Sequence, residues 1–178
     1  MPASYGLSLW EACMQAGAEF GITPFGTETM HVLRAEKGFI IVGQETDGTV
    51  TPLDLGMDWI VSKRKPDFIG KRSLARPDML KPDRMQLVGL RPLDRKEVLE
   101  EGAPIVAELR HQERMPILGH VTSSYDSPNV DGAFALAMVK GGRGRIGQTL
   151  HVPMPDRVVD VRVTEPVFFD PQGERLRA

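Results

Sequence analysis

Cysteine is almost missing from this chain: 178 residues hold one, Cys13. A lone thiol cannot close an internal disulfide, so burial must hold the fold, and a reducing compartment is the expected setting. Histidine is scarce as well. His31, His111, His120 and His151 stand at spacings that match no metal-ligand pattern, and Cys13 is remote from them in sequence, so no metal site is expected. No apolar run approaches the roughly 20 residues that span a bilayer. The opening MPASYGLSLWEA has neither the cationic start nor the long apolar core of a secretory leader. Together these absences predict a cytoplasmic chain. Charge of one sign is lacking too: the net value is -2, which argues against a nucleic-acid-binding protein as a whole. Internal repeats and low-complexity segments are absent.

What remains is an ordinary globular composition, 41% hydrophobic and 26% charged, long enough for one domain or two small ones. Ser4 is placed to cap a helix in which Leu7, Trp10, Cys13 and Met14 recur at three- and four-residue steps, which predicts a core-facing helix ending at Gly17. Ile22 to Gly26 reads as a loop. Thr27 or Thr29 then caps a second helix that carries Met30, Leu33 and Ala35 inward and ends at Gly38 in the left-handed region. Phe39 to Val42 is an apolar, β-branched run too short for a helix, so a buried strand is expected. Asp47-Gly48 is a turn signal. Thr51-Pro52 resembles an N-cap and first helical residue, with Asp54 favouring the positive end of a helix that Gly56 stops after one turn.

Met57, Trp59, Ile60 and Val61 form an apolar patch followed at once by Lys63, Arg64 and Lys65. A flat aromatic beside positive charge suits a planar, anionic ligand. Between Lys63 and Arg84 eight Lys or Arg face three Asp, a pattern that is most often a solvated face. A short helix is expected at Gly70 to Ala75, then a linker. After Arg84 the pattern changes to MQLVGL, APIVAEL, MPILGHVTSS, GAFALAMV, TLHVPM and VVDVRVTEPVFF, six β-rich runs parted by Pro, Gly and Asp turns. These predict a small closed or sandwich-like β domain. Along Val158 to Val163 the valines 159, 161 and 163 share one face, and Asp160 and Arg162 the other. The tail DPQGERLRA reads as frayed.

Gly142, Gly144 and Gly147 formally match a dinucleotide fingerprint, with Asp160 and Glu165 at about the spacing of a ribose acid. The fingerprint requires a helix after the glycines, whereas TLHVPMP reads as strand and turn, so a hairpin turn is the better reading. Ser123 and Ser124 sit in no nucleophile elbow, and turn and capping chemistry is expected for the SSYDSP stretch. Arg34 and Glu36, two apart, do not share a helix face, so a helix-end role is expected for them.

The order of these residues resembles the aminomethyltransferase family, whose type member is the glycine-cleavage T-protein. The matching text is LRAEKG (33–38), Gly43 with Glu45, TP with Asp54, Gly56, Trp59 and DFIGK (67–71). LVGL (87–90), GHVTSS (119–124), Ser127-Pro128 and ALAMV (135–139) follow. The resemblance spans nearly the whole chain, and the opening 47 residues are similar to the branch found in alpha subunits of heterotetrameric sarcosine oxidases. It implies an α+β architecture, with residues 1–80 forming the C-terminal part of a folate-binding domain and 81–178 a six-stranded antiparallel β-barrel. It also implies that the chain is the C-terminal portion of a longer subunit.

The activity implied is capture by tetrahydrofolate of the one-carbon unit released from sarcosine, giving methylenetetrahydrofolate. FAD, FMN and NAD belong to the full complex and are not expected on this chain, and the implied partners are the other subunits and the remainder of the same subunit. The family tryptophan that lies against folate matches Trp59. Phe39 stands where some members place a folate-contacting tyrosine, and Met30 where many carry an arginine three residues before the LR pair. Another arginine of some members, just before VGL, is Leu87 here. Lys63, Arg64 and Lys65 are candidates for the charge that meets the glutamyl carboxylates.

The family's pterin-pairing glutamate and catalytic aspartate lie upstream of the segment matching Pro2 to Tyr5, so no catalytic residue is assigned. A fragment of this kind is expected to fold around its β domain, without catalysing and with weak folate binding at most. A glycine-cleavage aminomethyltransferase is the alternative, disfavoured by Met30 and the wording of the first helix. A non-enzymatic alternative is an interaction module whose basic run docks an acidic partner or RNA. The missing upstream neighbours would also leave the first helix and strand with an apolar exposed side.

Overall fold

A run of six antiparallel strands closes on itself in the computed structural model, which describes residues 2–110, 115–175 and 177. The strands are β1 (Met85–Pro92), β2 (Pro104–Val106), β3 (Ile117–Ser127), β4 (Gly132–Lys140), β5 (Thr149–Pro153) and β6 (Val158–Thr164), in the barrel order β1-β4-β3-β2-β5-β6. All six β-rich runs of the sequence become strands, and closure removes the free edges that an open sheet would leave. Among the described residues α-helices are few: α1 (Gly6–Gly17), α2 (Thr27–Glu36) and the one-turn α3 (Lys71–Leu74). No helix among the described residues is long and apolar enough to cross a membrane.

Two side-chain layers explain the strand patterns. Val88, Leu90, Ile105, Val121, Leu150 and Val161 fill the barrel interior. On β6 the outer face meets solvent, so burial alternates along the strand as the valine spacing predicts. On β4 both faces are covered. Ala135, Ala137 and Val139 point inward, while Phe134, Leu136 and Met138 lie under a second cluster with Ala35, Ile40, Val50, Leu55 and Phe168. A strand buried twice has no polar face to show, which is why GAFALAMV reads as a continuous apolar run. β3 and β4 approach so closely that a Cβ on Gly119 would stand 2.0 Å from the Met138 carbonyl oxygen. Their register then shifts between Val121 and Ser123, turning Ser123 toward the covering layer.

The described residues fall into two compact units, one up to Met30 and one from His31 onward. In the first, α1 departs from expectation. None of its residues is buried, and Leu7 and Trp10 are 69% and 55% exposed. The apolar spacing marks a face made for a covering surface, and the first unit supplies none. The helix also runs beyond Gly17 into a single turn, Ala18–Phe20, before Gly21 reverses it with φ +68°. Of the residues expected inward on α2, Ala35 is fully buried, while Met30 and Leu33 are 52% and 43% exposed.

In the second unit, Phe39 to Val42 forms no strand. The segment makes a tight turn closed by bonds from Gln44 and Glu45 N–H to the Ile41 carbonyl, with one bridge between Val42 and Thr46. The barrel offers no free edge for it to join. α3, with Gly70 and Ala75 as its flanking caps, lies where the sequence places it. The tail is anchored as far as Asp170, whose carboxylate lies 3.2 Å from Lys37 Nζ. Asp170 also accepts from the Glu174 N–H at 2.8 Å.

Candidate functional site

The helix α2 ends where the site begins. Gly38 adopts φ +68°, and a Cβ there would meet the Pro166 carbonyl oxygen at 2.7 Å, so the chain can cross the C-terminal segment only with glycine at this position. The crossing delivers Phe39 and Ile40 to one wall of a pocket of about 620 Å³. Leu55, Gly56, Met57 and Trp59 form a second wall, Leu87 of β1 contributes to the lining, and Pro166 and Val167 close the far side. Most of this lining is apolar, as ligand clefts usually are, with a few polar groups to fix orientation.

The wall carrying Trp59 is held by a turn rather than by the helix expected after Pro52. Thr51 donates to Asp54 Oδ2 through its N–H at 2.8 Å and its hydroxyl at 2.9 Å. Arg84 then closes a fork on the same carboxylate, Nε to Oδ1 at 2.8 Å and Nη2 to Oδ2 at 2.7 Å. Asp54 is 3% exposed. Burial pushes its pKa up, but the bonds from Arg84 and Thr51 outweigh that and hold it below the usual carboxylate value. The Asp54 carbonyl in turn accepts from the Leu87 N–H at 2.9 Å, which fastens the turn to the first barrel strand. Asp54 is thus the clamp that sets the position of Leu55 to Trp59, and Gly56, φ +71°, reverses the chain after it.

A second buried network fixes the opposite wall. Arg34 reaches Glu45 at 3.0 Å, Gln44 at 3.1 Å, Ser123 at 2.6 Å and the Phe39 carbonyl at 3.1 Å. Ser123 donates to the other Glu45 oxygen. Glu36 is buried separately, accepting from Ser127 and from Asn129. Arg34 and Glu36 therefore do far more than finish a helix: they tie α2 and the Phe39 segment to β3 and the turn after it. Ser123, in the first of these networks, and Ser124, which accepts from the Leu99 N–H at 3.0 Å, are strand residues rather than turn residues; the capping role belongs to Ser127, which accepts from the Asn129 N–H.

The structure brings Phe39 and Trp59 together on the pocket, with exposures of 57% and 75%. Lys63, Arg64 and Lys65 are not part of its lining; Lys63 lies 3.9 Å from Asp58 on the surface. Met30 belongs to the first unit and is half exposed. The charged residues of the lining are instead Lys37, Arg143 and Glu165, which sequence reasoning did not select. Lys37 is engaged by Asp170, whose pKa burial would raise but this lysine holds down. Arg143 sits in the glycine-rich stretch set aside as a turn. It is indeed a single turn, Gly142–Arg145, running into β5 with no helix behind it, so it builds no pyrophosphate cradle. Only its position beside the Leu53–Asp54 turn reveals Arg143 as a pocket residue. Among the described residues no cluster of His, Cys, Asp or Glu could hold a metal, and His111 lies outside them.

Two family models match the chain, the GCVT N-terminal domain over residues 1–65 and the glycine cleavage T-protein C-terminal barrel domain over residues 85–170. Sarcosine oxidase subunit alpha of Corynebacterium sp. (strain P-1) is 55% identical over 98% of this chain, and that of Rhizobium meliloti (strain 1021) 44% over 99%. The chain spans 18% of the length of either relative. An aminomethyltransferase of Thermosynechococcus vestitus is 34% identical over 95% of the chain, which covers 43% of that protein. The crystal structure of the glycine cleavage system aminomethyltransferase T from Bartonella henselae shares the fold, with a TM-score of 0.69 at 24% identity over 89% of this chain and 46% of that one.

Proposed function

Since the chain belongs to the glycine-cleavage T-protein family, we propose that its pocket is part of a tetrahydrofolate site in a sarcosine oxidase alpha subunit. In that subunit the one-carbon unit from sarcosine would pass to the folate as methylenetetrahydrofolate. The observation that carries this reading is the meeting of Phe39 and Trp59 on one apolar cleft, from residues 20 apart in sequence. Both rings are substantially exposed, so their placement stabilises the free protein little and leaves their faces open to a flat pterin. The lining supplies binding and orientation rather than chemistry, which is how a folate acceptor site assists transfer.

Lys63, Arg64 and Lys65 belong to this proposal as outer residues, meeting the glutamyl carboxylates of the ligand beyond the cleft, while Met30, where many family members carry an arginine, leaves that polar contact to the folate unmade. FAD, FMN and NAD would be held by other parts of the complex, and the partners would be the other subunits together with the rest of the alpha subunit. The division into a folate-domain portion, residues 1–80, and a barrel domain, 81–178, is supported by the interval between the two family matches. Alone, the chain would bind folate weakly at most and would not turn it over.

A calorimetric titration with tetrahydrofolate, repeated with Trp59→Ala, tests the site. Binding that the substitution weakens tenfold or more supports the reading, and binding unaffected by it places the pterin elsewhere.

A further inference from the structure

The pocket contains a cation without a counter-ion. Arg143 makes no ion pair with a carboxylate among the described residues, although Glu165 lines the same cleft. Its guanidinium is nevertheless positioned: Nη2 donates to the Leu53 carbonyl and, at 3.0 Å, to the Asp54 carbonyl. The Arg143 backbone N–H is held by Gln86 at 3.0 Å. Gly56 lies alongside, where a Cβ would come to 3.8 Å from Nη2. Both hydrogens of Nη2 are spent on carbonyls, which leaves those of Nε and Nη1 without a protein acceptor among the described residues. An arginine held by neutral carbonyls keeps its full charge available, and its planar fork suits a carboxylate. Lys37, the other cation of the lining, is already committed to Asp170.

We infer that Arg143 is the carboxylate anchor of this pocket, and that the cleft selects ligands joining a flat ring to a carboxylate. Glu165 sharpens the class. As a negative residue of the lining, it disfavours a ligand that is anionic throughout. That the ligand is a folate rests on the reading above; the anchor itself does not.

The test uses the full chain and two probes that lack the pterin, N-(4-aminobenzoyl)-L-glutamate and its neutral diamide, titrated by NMR at millimolar concentration. The wild-type chain binds the dicarboxylate about tenfold more tightly than the diamide, as one charge-assisted contact at a partly exposed site provides. This preference shrinks with added salt and disappears in Arg143→Gln, while Arg143→Lys, which keeps the charge and loses the fork, retains part of it. Thermal melts of each variant accompany the titrations, and the wild-type comparison and Arg143→Lys decide the matter should Arg143→Gln not fold. Equal affinity for the two probes, failure of both to bind, or a preference that survives Arg143→Gln overturns the anchor. Titration of the same proteins with 5-formyltetrahydrofolate separates the two readings. Folate binding that depends on Trp59 but not on Arg143 removes the anchor alone. A probe preference that depends on Arg143, with no folate binding dependent on Trp59, removes the pterin assignment alone.

Discussion

Replacing Arg84 by methionine would strip the clamp under the Trp59 wall while keeping the stem that packs there. The variant leaves the Asp54 carboxylate 3% exposed with only Thr51 to bond it. A bond to the Thr49 carbonyl is lost, and with it two charge-assisted bonds to Asp54, at 2.8 and 2.7 Å. Each contributes roughly 1.5–3 kcal/mol net, but they share one pair of charges and are not additive. Stranding one member of a buried pair costs about 3–5 kcal/mol. The Arg84 side chain retains 19% of its exposure, which favours the lower end, about 3 kcal/mol. For a chain of this size that lowers Tm by roughly 6–12 °C.

Chemical denaturation at neutral pH measures the loss directly, and its pH dependence identifies the source. Because the folded pKa of Asp54 is depressed, its contribution is present above the unfolded carboxylate value near 3.9 and is lost as pH falls through the folded value. The gap between wild type and Arg84→Met should therefore close on acidification, and Asp54→Asn combined with Arg84→Met should recover part of the loss at neutral pH. A variant within about 0.5 kcal/mol of wild type, or a gap that does not change with pH, refutes the clamp.

Gly38→Ala places a side chain at φ +68° and within 2.7 Å of the Pro166 carbonyl, so a loss of about 2 kcal/mol or more is expected by denaturation, with the left-handed backbone alone costing about 1–2. Trp59→Ala should leave the melting curve almost unchanged, since the ring is 75% exposed, while weakening tetrahydrofolate binding in calorimetry. Ser123→Ala removes a partner from both Arg34 and Glu45 inside a buried network; a cost of about 1–3 kcal/mol is expected from the unsatisfied groups, read from the denaturation midpoint.

The barrel was legible in the sequence because a strand states its environment in every second residue. Val159, Val161 and Val163 declare a buried face, and the uninterrupted GAFALAMV a strand covered on both sides. Turn glycines such as Gly38 and Gly56 were equally legible, since positive φ is nearly a glycine property. The Phe39 run misled for the converse reason. An apolar tetrad specifies burial or a binding wall without saying which, and no barrel edge was free to make it a strand. The first helix carries the stripe of a core helix, yet no residue of it is buried, because periodicity reports a face and not what lies against it.

Of the site, local sequence determined the two aromatics, each marked by its neighbours, but not their meeting. Asp54 had a signal, an acid after Thr-Pro, though its partner Arg84 stands 30 residues on and nothing local links them. Arg143 had none: within its own stretch it is one arginine in a glycine turn. Hydrophobic pattern and backbone preference act over a few residues and are written in the chain. Which charges are buried, paired or left facing a cavity depends on distances between remote segments, and those exist only once the barrel has closed.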